Sequence, residues 1–242
     1  MRRQFLVIVG SCAVLALAGC EKAVPVGSTD TTASTAPASL PNPSSAGSSP
    51  GPAPAPTVIP IDAFLALPKE MRHGDIRTRA EVEQAVPRLC GGEFSSRGAA
   101  AGAAVRSDYV QPDSPPGSIP SGVLYQTIRT YQGEGAAAFM VRLRAELKSC
   151  PTFERDGTRF RVRTGTLAGV GDEALTIDVV QPQTDLPGNP VGGEQTNRAV
   201  GIRVGDTITI LWDSEYERSS SEPSIVTDFA RRAVATIRQW RS

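Results

Sequence analysis

The sequence predicts an α+β domain, an antiparallel sheet with helices packed on one face, preceded by a disordered tether. Three observations carry this expectation. Residues 199–212, "AVGIRVGDTITILW", read as two alternating strands around Gly205-Asp206, and glycine at the first turn position suits a type II′ hairpin. Residues 223–240 place Val226, Phe229, Ala230, Ala233, Ile237 and Trp240 on one helical face, the stripe of a helix lying against a sheet. Strands and helices do not alternate regularly, which argues against a doubly wound parallel sheet.

At the N-terminus, Arg2 and Arg3 precede an apolar run, residues 5–17, and the small pair Ala18-Gly19. That order describes an export signal, and a run of about 13 residues is short for a bilayer-spanning helix. The ending "LAGC" resembles the lipobox of bacterial lipoproteins. The resemblance implies a signal peptide over residues 1–19, cut before Cys20, with Cys20 carrying a diacylglyceryl thioether and palmitate-class acyl chains. Each buried methylene contributes about 0.8 kcal/mol, so two or more long chains hold the product on the membrane. The expected location is the extracytoplasmic face of the cell membrane, with the bilayer as partner through the anchor.

Residues 20–60 are Ser, Thr, Ala, Pro and Gly with almost no large apolar side chains; "SSPGPAPAPT" is typical. Such a segment buries too little surface to offset chain entropy. As a flexible coil its reach is about 35 Å, the scale of a spacer between membrane and domain. Residues 61–242 form the expected domain, long enough to bury close to 70% of its unfolded surface without a partner.

Along the domain, Asp62 is placed to cap a short helix through Met71. Thr78-Arg79-Ala80-Glu81 is a capping-box pattern opening a helix toward Cys90, with Pro87 kinking or ending it near Val86. Residues 100–109 and 122–132 read as strands, the second rich in β-branched and aromatic side chains. Residues 135–149 form a helix whose Phe139, Leu143 and Leu147 recur every four positions. Strands follow at 158–163 and 173–180, then the hairpin, then the terminal helix with Ser221 as its cap. Two Pro/Gly-rich stretches, 111–121 and 181–196, read as long connections, the kind that serve as binding loops or stay disordered.

Cys12 leaves with the signal and Cys20 is taken by lipid, so Cys90 and Cys150 remain. In an exported domain that pair predicts one disulfide. Two thiols and the single His73 are too few soft ligands for a metal site, and no cofactor motif is present. The formal charge is 25 minus 25; removing Arg2 and Arg3 leaves 23 minus 25, or −2. No basic stripe with interleaved aromatics occurs, which argues against nucleic acid as a partner.

Candidates for chemistry are few. Asp172 and Glu173 in "VGDEAL" are adjacent carboxylates; strand neighbours point to opposite sides, so they are not expected to share an ion. His73 lies in a polar segment with no nucleophile elbow elsewhere in the chain. No catalytic residue is therefore assigned. Tyr125, Arg129 and Tyr131 share one alternating face, which reads first as the wet side of a sheet and second as the lining of a ligand cleft.

The order of "PRLCGG", a tyrosine-rich strand, "LKSCPTF", "GVGDEAL" and "IRVGDTITIL" before a terminal helix resembles actinobacterial sensor-domain lipoproteins. These are similar in turn to the extracellular sensor domain of a mycobacterial receptor-type serine/threonine kinase. The resemblance covers about residues 61–242 and implies an α+β sensor fold with a cleft for an extracytoplasmic ligand. This chain departs from the kinase pattern in having one cysteine pair where two are expected, and no kinase or transmembrane segment. The expected function is a lipid-anchored binding or sensing module for a small molecule, wall polymer or protein. The alternatives are an envelope hydrolase and a structural envelope assembly factor.

Overall fold

The Gly205-Asp206 turn is the simplest piece of the fold. In the computed structural model it joins β7 (Pro190–Val204) to β8 (Thr207–Ser214), with Val204 opposite Thr207. Gly205 takes φ 58°, which the first position of a type II′ turn requires. The described residues are 55–74, 77–214 and 216–242. The expected signal peptide, Cys20 and the linker as far as residue 54 lie outside them.

Six further strands extend the hairpin: β1 (Thr78–Ala80), β2 (Ala99–Tyr109), β3 (Gly122–Tyr131), β4 (Thr152–Arg155), β5 (Thr158–Thr166) and β6 (Glu173–Thr184). The eight form one sheet in the order β1-β2-β3-β8-β7-β6-β5-β4, and every neighbouring pair is antiparallel. The two long helices are α1 (Gly135–Ser149) and α2 (Pro223–Arg241). The mixed α+β class holds, with the sheet dominant.

The helices do not share a face. Val226, Phe229, Ala230 and Ile237 of α2 pack with Val200, Ile202, Leu211, Leu124 and Ile128. Phe139, Leu143 and Leu147 of α1 pack with Ala199, Ile177, Ile208 and Ile210. Successive strand residues point to opposite sides, so Ala199 and Val200 assign α1 and α2 to opposite faces. A side chain at Gly201 would meet Leu143 Cδ2 at 3.2 Å, which marks how closely α1 approaches. The expected one-sided packing is thus corrected. The cause is in the hairpin register: with Ile202 opposite Thr209 and Arg203 opposite Ile208, the apolar residues of β7 and β8 fall on different faces. Both faces then need a cover.

On the α2 face, part of that cover precedes β1. Ile59, Phe64, Leu65 and Met71 join the core, and Thr130 donates its hydroxyl proton to the Pro56 carbonyl at 2.7 Å. Packed structure therefore begins ahead of residue 61. In place of the helix expected from Asp62 to Met71 there are two single 3-10 turns, Ile61–Ala63 and Lys69–Met71. Pro60 and Pro68 precede them and Asp62 caps neither.

The capping-box reading at Thr78 fails for a related reason. Thr78–Ala80 is strand β1, its residues opposite Arg106, Val105 and Ala104 of β2. One helical turn follows, in which Gln84 and Ala85 donate to the Glu81 carbonyl. Pro87 brings no donor to extend it. Residues 181–196 are also not a loop. β6 and β7 continue their ladder as far as Thr184 opposite Pro190, closed by Asn189 donating to the Asp185 carboxylate at 2.7 and 3.0 Å. Pro182 is accommodated at a register shift. Residues 111–121 do form a connection, tied at its base by Gln111 N–H to Ser121 Oγ. Ser221 does not cap α2; its hydroxyl accepts from Arg198 N–H and donates to the Asp213 carbonyl.

The Cys90–Cys150 disulfide is present, spanning 60 residues. It joins the segment after the Glu81 turn to the end of α1, as its position in the sequence implies.

Beneath α2, Asp213 is 1% exposed. It accepts from the Tyr109 hydroxyl at 3.0 and 3.1 Å. Burial raises the Asp213 carboxyl from 3.8 to about 6, against the opposing pull of the Ser221 and Tyr109 hydroxyls. Burial, reinforced by the Asp213 carboxylate beside it, drives the Tyr109 hydroxyl well above its ordinary range. Asp213 thus holds its proton more tightly folded than unfolded. Its stabilising contribution is full below pH 3.8 and is lost as pH rises through about 6, a change on the order of 3 kcal/mol. Asp213→Asn is expected to remove this pH-dependent component. Urea denaturation of both proteins at pH 4 and pH 7.5 checks it: a difference between variant and parent that does not change with pH would refute the assignment.

Candidate functional site

On the α1 face, the sheet beyond the helix is left open, and a groove forms there. Its floor comes from interior strands: Val179 and Gln181 of β6, Asn197 of β7, Trp212 and Ser214 of β8. One side is Pro87-Arg88 and the other is Arg155 and Phe160, at the β4–β5 hairpin. The enclosed space is about 200 Å³. The disulfide holds the two sides together, because Cys90 closely follows Arg88 and Cys150 leads directly into β4. Glu93 fixes the same segment by accepting from the Cys90 and Gly91 N–H groups. Although Cys90, Glu93 and Cys150 bring ligand-type atoms together, the two sulfurs are bonded to each other and are not free to coordinate.

Each side chain has a local cause. Asp156 and Gly157 take φ 51° and 75°, the two left-handed residues of a type I′ turn, and this turn sets Arg155 against Thr158. Phe153 and Phe160 then stack at 4.7 Å, and the Arg155 guanidinium lies 4.9 Å over the Phe160 ring. Arg155 also donates to the Arg88 carbonyl at 3.3 Å, linking the two sides. Trp212 stacks on Tyr125, its partner in register, at 5.4 Å. Alongside runs a ladder of amides: Gln181 donates to Gln195, and Gln195 donates to Asn197. The Asn197 amide nitrogen is buried without a hydrogen-bond partner among the described residues.

Tyr125, Arg129 and Tyr131 do share a face, as alternation requires, but only Tyr125 reaches the open part of the sheet. Arg129 is 0% exposed and Tyr131 is buried with it. Arg129 donates to the Phe94 carbonyl at 2.6 Å, and Arg129 and Arg142 both lie over the Phe139 ring, at 5.9 and 5.1 Å. Burial lowers the Arg129 guanidinium from its ordinary value, opposed by Tyr131 and Glu83. Burial raises the Tyr131 hydroxyl, opposed by Arg129 and Arg142.

The other candidates lie elsewhere. His73 is exposed, in a cavity of about 130 Å³ with Arg72, Arg77 and Asp108. The arginines there are already engaged: Arg72 donates to the Leu67 carbonyl, Arg77 to those of Ile61 and Phe64. Asp172 and Glu173 sit at the start of β6 and, contrary to the expectation from strand alternation, share one cation. Arg203 meets both at 3.4 Å. Asp172 escapes alternation because it precedes the strand and turns to the Gly205 N–H at 2.6 Å; Glu173 also pairs with Arg144. The 111–121 connection contributes nothing to the groove, and residues 181–196 contribute only Gln181 from the arm and none from its tip.

The sequence reading missed Arg155, Phe160 and Trp212 as site residues. "RDGT" at 155–158 carries the Asp-Gly turn signal that finds the first two. Trp212 needs the β3–β8 register.

Fold and groove together define an α+β domain with a disulfide-tied, partly aromatic groove at one end of an antiparallel sheet. No family model, curated protein or solved structure matches the chain. Among the described residues no helix is long and apolar enough to cross a membrane.

Proposed function

We propose that this chain is a lipid-anchored, extracytoplasmic binding or sensing module of the bacterial cell envelope, and that its ligand occupies the Trp212 groove. The observation that carries this reading is the groove itself. One indole on the floor, a phenylalanine on one side, amides and two arginines converge there, and a covalent link fixes its sides. A small number of placed polar groups beside an aromatic side chain is what fixes a ligand's orientation in a pocket. The "LAGC" resemblance at Cys20 supplies the anchor, and the likeness to sensor-domain lipoproteins supplies the role.

Orientation supports the reading. Pro56 meets the sheet at Thr130, near the end of β3. Tyr125, beside Trp212, lies five residues back, about 17 Å along the strand. The chain leading toward the linker therefore joins the sheet away from the groove. A binding role also fits the state of the other candidates, since Asp172 and Glu173 are engaged with arginines.

Two measurements test this. Mass spectrometry of the mature chain should find an acylated N-terminal Cys20, and Cys20→Ser should move the protein from the membrane to the soluble fraction; an unacylated membrane form would remove the anchor. A soluble digest of the cell wall should shift the Trp212 indole resonance saturably, and Trp212→Ala should weaken its binding about tenfold or more, as for a stacked aromatic anchor. Binding unaffected by the substitution would put the ligand elsewhere.

A further inference from the structure

We infer that the groove holds one residue of an acidic glycan, a sugar ring bearing a carboxylate; this rests on the groove being the binding site. Three features of the lining select that chemistry.

The first is charge. Arg88 and Arg155 border the groove and no carboxylate lines it. Neither guanidinium forms an ion pair among the described residues, whereas Arg106, Arg198, Arg203 and Arg241 all do. Glu154, next to Arg155, faces the other side of β4, opposite Arg159. Arg155 is held in place by the two phenylalanine rings and the Arg88 carbonyl. A preset guanidinium with free donors matches a carboxylate in a bidentate pair.

The second is the floor. Trp212 offers an indole, Asn197 a buried amide nitrogen without a partner, and Gln181 and Ser214 further polar groups. A sugar ring presents an apolar C–H face and an equatorial rim of hydroxyls. The indole takes the face and the amides take the rim. A peptide is a poorer match, because these strands are interior: Val179 stands between Val162 and Asn197, and Trp212 between Ala199 and Tyr125. Their backbone groups are committed to the sheet, so an extended peptide finds no edge to pair with.

The third is size. About 200 Å³ falls below the roughly 300–1,000 Å³ of pockets that enclose a drug-sized molecule. The groove admits one ring.

The experiment uses the full chain and follows its two tryptophan indole resonances by NMR, assigned with Trp240→Phe or, should that variant not fold, Trp212→Phe. The probes are oligogalacturonate trimers, the same trimers as methyl esters, and a soluble cell-wall digest. The acid trimers are expected to shift the Trp212 resonance saturably, with the esters and the Arg155→Gln variant each binding about tenfold more weakly or worse. Equal binding of acid and ester, or no effect of Arg155→Gln, overturns the acidic assignment. If the digest shifts Trp212 and neither trimer does, the glycan assignment falls while the groove remains the binding site. If none of the three shifts it, both fall.

Discussion

Replacing Cys90 and Cys150 together by serine is expected to lower the unfolding free energy by about 4 kcal/mol, from the chain entropy of a loop of this length. The bridge spans 60 residues, and its removal lets the unfolded chain explore conformations the oxidised chain cannot reach. For a domain whose total stability is about 5–15 kcal/mol, that leaves a marginal fold. The consequence extends to the groove. Arg88 and Arg155 stand on separate segments joined by this bond and by one hydrogen bond at 3.3 Å. In the variant the two sides are expected to move independently and ligand affinity to fall, while the α2 face stays packed. Urea denaturation of the oxidised parent and the double variant measures the first effect, and the Trp212 resonance reports the second. A loss under about 1 kcal/mol would mean that the unfolded chain is already compact across this loop.

Phe229→Ala is expected to cost about 3–5 kcal/mol, the range for truncating a buried phenylalanine. Phe229 is fully buried and meets Tyr109 edge to face at 5.2 Å. Its loss removes apolar burial, leaves a cavity under α2, and frees the ring whose hydroxyl serves Asp213. The last effect couples the site to pH: the variant is expected to lose stability more steeply than the parent between pH 4 and 7, as the Asp213 carboxylate loses its fixed donor. Val141→Ala, on the exposed side of α1, is the control and should change stability by less than about 0.5 kcal/mol. Equal denaturation midpoints for Phe229→Ala and the parent would place the core elsewhere.

The β7–β8 hairpin and both long helices are local matters: a Gly-Asp turn between alternating runs and two apolar stripes of period 3.6 need no distant partner to be recognised. The Thr78 capping box misled because a four-residue pattern states only what the chain prefers alone. Pairing with Arg106 and Ala104 across a long stretch of sequence outweighed it. The 181–196 arm misled for the opposite reason. Its glycines and prolines resemble a loop, but the ladder begun at Glu173 opposite Arg203 runs on through them. The placement of the helices was partly legible, since a two-residue turn fixes which residues of β7 and β8 share a side. Applied to Ile202 and Ile208, that parity already gives the hairpin two apolar faces.

The candidate site was harder to see. Tyr125 was found by alternation along its own strand, yet the same rule drew in Arg129 and Tyr131, which α1 and the Phe94 segment bury. Alternation names a side of a sheet but does not say what covers it. Arg88, Arg155, Asn197 and Trp212 lie on four separate segments.

By itself, the sequence determined the β7–β8 hairpin, the two long helices and the cysteine pair, because each depends on neighbouring residues or on simple counting, and it set the expectation of export and anchoring. Only the tertiary structure decided the strand order, which helix covers which apolar face, and the groove. Those depend on register between distant segments, where shifting a strand by one residue exchanges its buried and exposed sides.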